Sequence, residues 1–110
     1  MTGLEFTVEV QHNRIPDILR KLPREIDRQV EHVAHMGVEL AQSIVRVDTG
    51  ALRASITSRR ITDGYTIGSD LDYAAPQEYG TRHMTGRPYL RPAAEYMAQQ
   101  FDRLELDLLS

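Results

Sequence analysis

The feature that most constrains the fold of this chain is an apolar stripe of helical period between Pro23 and Val45. Apolar side chains recur there at spacings of three and four residues, while charged and amide side chains occupy the other faces. Pro23 suits the first turn of a helix, because its missing N–H group would have no partner there. We therefore predict one long helix that buries one face and ends near Val45. The stripe comprises Ile26, Val30, Val33, Ala34, Gly37, Leu40, Ala41 and Ile44.

A second apolar stripe of the same period lies at the C-terminal end of the chain. It follows a segment in which Pro88 and Pro92 restrict the backbone. We predict a second helix that also buries one face. Its apolar residues are Ala93, Ala94, Met97, Phe101, Leu104, Leu108 and Leu109.

Three segments have the pattern of β-strands. Residues 4–10 alternate apolar and polar side chains, which is typical of a half-buried strand. Residues 55–62 and 65–69 flank Asp63 and Gly64, a pair that strongly favours a hairpin. The order strand, long helix, hairpin, helix predicts an α+β fold, a small antiparallel β-sheet packed by a long N-terminal helix and a C-terminal helix. At 110 residues the chain has the size of one domain, so we predict a single domain over residues 1–110.

The connecting segments carry weaker signals. Residues 16–22 and 51–54 are predicted to form short helices, with Asp48 or Thr49 capping the second. Residues 73–79 are predicted to form a helical turn that ends at Gly80. Residues 81–87 are polar and bracketed by glycines, and we predict a flexible loop there.

Composition excludes several classes of site. The chain contains no cysteine, which excludes disulfides, thiolate nucleophiles and cysteine-based zinc sites. No stretch approaches the ~18 apolar residues of a membrane span, so we predict no membrane contact. The net charge is −3, yet residues 46–91 carry seven arginines, no lysine and five acidic residues. Because arginine suits fixed, partly desolvated contacts, this region is a candidate for facing an acidic neighbour.

Two groups of side chains invite a chemical interpretation. His32, His35 and Glu39 share a helix face, but their spacing is not that of a known zinc motif, and a solvated or interface face is the better interpretation. A second group, the carboxylates of residues 70, 72 and 78, could act as acid and base in a hydrolase. It lacks a neighbouring nucleophile, so helix capping and salt bridges are favoured. We predict no catalytic residue, no metal and no cofactor, and therefore a non-enzymatic protein.

Three motifs occur in order between residues 47 and 93. They read VDTGALRASI at residues 47–56, YAAPQEYGT at residues 73–81 and RPYLRPA at residues 87–93. Together they resemble the head–tail joining family, also called neck or tail-completion proteins, of long-tailed double-stranded DNA phages and prophages. Tyr79 and Tyr89 stand where that pattern often has phenylalanine.

The resemblance implies a structural virion subunit that forms a homo-oligomeric ring, a hexamer or dodecamer, at the head–tail junction. Such a ring joins the capsid portal or connector side to the tail tube. The implied partners are neighbouring neck proteins and tail-tube or tail-terminator proteins, with DNA only as cargo passing through the lumen. The implied location is the neck or upper tail of a virion made in the cytoplasm of a host bacterium.

The motif residues are also candidate interface residues. Leu52 is expected to anchor its turn to the core and Arg53 to project from it, while Gly50 allows a tight bend. Arg91 opens a helix whose N-terminus already carries partial positive charge, so we expect a carboxylate partner in the same or a neighbouring subunit. The complete set is Asp48, Thr49, Gly50, Leu52, Arg53, Tyr73, Glu78, Tyr79, Gly80, Arg87, Tyr89 and Arg91.

The alternative is a small regulatory module that binds nucleic acid or another protein through its arginines and tyrosines. Arg59 and Arg60, with Arg53, favour this reading. Two observations oppose it, since the chain is acidic overall and adjacent residues of a strand point to opposite faces. A DNA affinity that falls with salt would favour the alternative.

Overall fold

The computed structural model describes residues 3–9, 23–45, 50–61 and 64–109. The elements, labelled in chain order, are β1 (Leu4–Glu9), α1 (Pro23–Ile44), α2 (Gly50–Ser55), β2 (Thr57–Ile61), β3 (Gly64–Ser69), α3 (Ala74–Tyr79), β4 (Gly80–Thr81), β5 (Met84–Thr85) and α4 (Leu90–Leu109). The predicted short helix over residues 16–22 and the predicted caps Asp48 and Thr49 lie outside the described residues.

The main sheet has three antiparallel strands in the order β1-β3-β2. Phe6 of β1 and Ser58 of β2 both pair with Ile67 of β3, and residues that pair directly share a face of the sheet. Every residue of β3 is buried, whereas the two outer strands are partly exposed. The pairing of β2 with β3 confirms the hairpin that the sequence predicts.

The two long helices pack together and against one face of this sheet. Gly37 of α1 lies beside Met97 of α4, while Val33 and Leu104 line one groove, so the helices run antiparallel. The predicted α+β fold is therefore confirmed. No helix in the described ranges is long and apolar enough to cross a membrane. The buried apolar side chains are Val8, Ala34, Ala41, Val45, Leu52, Ile56, Tyr65, Ile67, Ala74, Tyr89, Leu90, Ala93, Met97 and Phe101.

Only some residues of the apolar stripe of α1 are fully buried. Ala34, Gly37 and Ala41 are buried at its centre, whereas Leu40 is only half-buried. Small residues occupy the centre because α4 approaches closely there. A β-carbon added to Gly37 would lie 2.5 Å from the Cγ and Sδ atoms of Met97. The stripe predicts the helix correctly, but small residues rather than the largest apolar ones form its contact with α4.

Candidate interface surface

Glu78 is the central polar group of the second and third motifs. Its side chain is 2% exposed, and its carboxylate accepts three backbone hydrogen bonds. Oε1 accepts from the N–H groups of Tyr89 (3.0 Å) and Leu90 (2.8 Å), and Oε2 accepts from that of Arg91 (3.0 Å). The first N–H groups of a helix have no partner within it, and a negative charge there also matches the helix dipole. Glu78 therefore caps α4 and ties it to α3, so it cannot serve as a surface contact.

Tyr89 is also internal. Its ring is fully buried, and its hydroxyl donates to the backbone oxygen of Ala74 at 3.0 Å. Burial raises the pKa of the Tyr89 phenol well above its usual value, and the negative charge of Glu78 raises the pKa further. The expectation that Tyr89 contacts a partner is wrong for this reason: its polar tip already has an acceptor inside the chain.

Replacing Tyr89 with phenylalanine should cost about 0.5–1.5 kcal/mol of unfolding free energy at neutral pH, the net value of one hydrogen bond. Because folding raises the pKa of the phenol, its contribution is complete below the unfolded pKa of about 10 and is lost as the pH rises above it. Urea unfolding at neutral and alkaline pH should therefore show a shallower alkaline loss in Tyr89→Phe than in the parent. Tyr79→Phe, at an exposed tyrosine, is the matched control; equal alkaline slopes in parent and Tyr89→Phe would contradict the prediction.

The segment over residues 81–87, predicted to be a flexible loop, contains one strand and part of a second. Gly80–Thr81 pairs with Met84–Thr85 in a tight hairpin, and the Arg87 N–H group donates to the Gln77 oxygen at 2.8 Å. Gly80 ends α3 as predicted, with φ at 85°, a conformation that favours glycine. A β-carbon on Gly86 would lie 2.4 Å from the Gly80 nitrogen. The glycines that suggest flexibility instead allow two backbone segments to touch.

Around these internal contacts a set of side chains stays exposed. We call this set the Arg/Tyr surface. It consists of Tyr73, Tyr79, Arg82, Arg87 and Arg91. The tyrosines are 40% and 58% exposed, and within the described residues none of the three guanidinium groups forms an ion pair. The carboxylate expected near Arg91 is Glu78 of the same chain, and it binds the backbone of Arg91 rather than its guanidinium. Arg82 lies between the second and third motifs, so no motif singles it out.

The first motif lies elsewhere and makes internal contacts. Leu52 is fully buried, as predicted. Arg53 does not project freely, because its Nη2 donates to the Val45 oxygen at 3.1 Å, at the end of α1. Helix ends have unpaired carbonyls, and a cation is favourable there. Gly50 is exposed with no atom within 4 Å of an added β-carbon, so packing does not require glycine at that position.

The side chains considered for metal binding or for acid–base catalysis are not brought together as sites in the structure. His35 pairs with Glu39 (Nε2 to Oε1, 3.2 Å) on an exposed face of α1. Within the described ranges, no three His, Asp or Glu side chains are placed to hold a metal ion. Asp70 and Asp72 are exposed, whereas Glu78 is buried, so these three carboxylates do not form one cluster.

Comparisons of the chain with protein-family models, with curated proteins and with solved structures find no match. The resemblance to the head–tail joining family therefore depends on the three sequence motifs alone.

Proposed function

We propose that this chain is a non-enzymatic structural subunit that assembles as identical copies into a ring at the head–tail junction of a tailed phage. The ring would join the portal or connector side to the tail tube. The observation that carries the proposal is the way in which the Glu78 carboxylate is hydrogen-bonded inside the chain. The buried carboxylate of Glu78 accepts hydrogen bonds from three backbone N–H groups, so it holds the local shape and is not available for chemistry.

A fixed shape is what a ring subunit needs. In a closed ring each copy repeats the same contact, so a small angular error at one junction accumulates around the circle. Glu78, the Tyr89 hydroxyl and the close contact of Gly80 with Gly86 together fix α3, the hairpin and the start of α4 as one unit. Apart from Gly86, which lies between them, the second and third motifs supply the residues of these contacts.

The outside of this unit has the composition of a protein interface. Exposed tyrosine and arginine are enriched in interfaces, because each combines a large contact area with polar groups at its tip. Residues 79–91 carry three arginines and no acidic residue, while 10 basic and all 16 acidic residues lie in the rest of the chain. This contrast favours an acidic partner surface, which neighbouring copies or the adjacent neck and tail proteins can supply.

The test of ring assembly is native mass spectrometry together with negative-stain imaging of the purified chain. We expect closed species of six or twelve copies, and we expect Tyr79→Ala with Arg87→Glu to reduce them while circular dichroism stays unchanged. The control is Glu95→Gln, at an exposed residue of α4 outside the surface. A chain that stays monomeric at every concentration, alone and with neck or tail proteins, would overturn the proposal.

The three exposed guanidinium groups, which form no ion pair with the part of the chain that the structure describes, also support the second candidate, a nucleic-acid-binding module. If the Arg/Tyr surface binds DNA, the logarithm of the affinity for a short duplex should fall linearly with the logarithm of the salt concentration. Replacing Arg82, Arg87 and Arg91 with alanine should then flatten that slope. Passage of DNA as cargo predicts only weak binding that this triple substitution leaves unchanged.

A further inference from the structure

The topology of the main sheet leaves two edge strands that run in the same direction. β1 and β2 are each antiparallel to β3, so they are parallel to each other. Within the described residues, β3 is the partner of both, and no strand pairs with the outer edge of either. An edge strand presents a row of unpaired N–H and carbonyl groups, and another strand can bind there.

The two edges carry opposite charge. β1 contains Glu5 and Glu9 and no basic residue, whereas β2 contains Arg59 and Arg60 and no acidic residue. Glu5 and Arg59 already meet across β3 on the face away from the helices, with Oε2 and Nη2 3.3 Å apart. The sequences of the two edge strands are therefore complementary in charge.

A groove lies beside the edge of β2. Ser58 of β2 and α1 enclose about 410 Å³, and the remaining lining residues are Arg28, Glu31, His32 and His35. A strand added beside β2 would lie against this groove, whose lining carries Arg28, two histidines and Glu31. The groove thus extends the contact from the strand to the side of α1.

We propose that β2 of one copy pairs with β1 of a second copy, as parallel strands. This inference rests on the proposed function, since it assumes that copies associate, and it names a contact between copies that is separate from the Arg/Tyr surface. The contact is head to tail, because two different edges meet. Such a contact closes into a ring or continues as a filament, but cannot stop at a two-fold dimer. Addition of a strand to an exposed edge supplies main-chain hydrogen bonds, while the acidic residues of β1 and the basic residues of β2 favour the pairing of unlike edges.

The absence of cysteine from the chain allows a direct test by introduced disulfides. Thr7→Cys on β1 and Thr57→Cys on β2 place thiols on the same face of the sheet. Within one chain β3 separates the two strands by two strand spacings, roughly 9.5 Å, beyond the ~7 Å that a disulfide can span. A crosslink can therefore form only between copies. A second variant combines Thr7→Cys with Ile61→Cys, and it tests a different register of β1 of one copy against β2 of the other.

Oxidation of the double variants should give a ladder of covalent oligomers, and mixing the single variants should give only dimers. The matched control combines Thr7→Cys with Thr85→Cys, at an exposed residue of the small hairpin, and should crosslink several-fold less. Dimers from Thr7→Cys alone would show a two-fold contact and overturn the proposal. Rings that form without any β1–β2 crosslink would overturn it and leave the proposed function standing. If the copies did not associate at all, both the β1–β2 contact and the proposed ring function would be overturned.

Discussion

Replacement of Glu78 with alanine is expected to lower the free energy of unfolding by about 3–5 kcal/mol. Three N–H groups at the start of α4 lose their acceptor, and each buried donor left without a partner costs about 1–3 kcal/mol, less where water enters. The loss is large against the ~5–15 kcal/mol of a typical domain. It should also free α3 and the hairpin from α4, so the Arg/Tyr surface should lose its fixed shape together with stability.

The measurement is urea unfolding followed by circular dichroism. Glu78→Gln keeps the shape and one carbonyl oxygen, and should fall between the parent and Glu78→Ala. Glu95→Ala removes an exposed carboxylate from the same helix and should change stability by no more than about 0.5 kcal/mol. If Glu78→Ala lost no more than Glu95→Ala, Glu78 would not cap α4 in solution.

Replacement of Phe101 with alanine should cost a similar amount, about 3–5 kcal/mol. The Phe101 side chain is 2% exposed, and its ring stacks on that of Tyr65 with centroids 6.4 Å apart and an angle of 29° between the planes. This contact fastens the middle of α4 to the central strand β3. Alanine removes the ring and leaves a cavity that the surrounding backbone can fill only in part.

Chemical denaturation of Phe101→Leu provides the internal comparison, because leucine keeps most of the apolar volume and should cost less than alanine. Tyr79→Ala removes an aromatic ring that is 58% exposed and should leave unfolding almost unchanged while weakening assembly. These variants separate stability from association. A small loss in Phe101→Ala would mean that α4 does not pack on the sheet as described.

The elements with a periodic signal could be predicted from the sequence. The stripe from Ile26 to Ile44 predicts α1, the alternation from Leu4 predicts β1, and the residues flanking Asp63 and Gly64 predict the pairing of β2 with β3. These predictions hold because helix and strand repeat every few residues, so a local pattern records which face is buried. The α+β class follows from the order of the elements.

Which residues of the motifs face inward could not be predicted from the sequence and is seen only in the folded structure. Glu78 accepts hydrogen bonds from backbone N–H groups 11–13 residues away, and the Tyr89 hydroxyl donates to the Ala74 oxygen, so these bonds join segments that share no local period. The same applies to Arg53, which turns back to the end of α1, and to Leu40, which lies beside the contact rather than within it. Residue type indicates that a tyrosine or carboxylate needs a polar partner. Only the folded chain determines whether that partner is its own backbone or another molecule, because the backbone groups become available only once α3 and α4 have packed together.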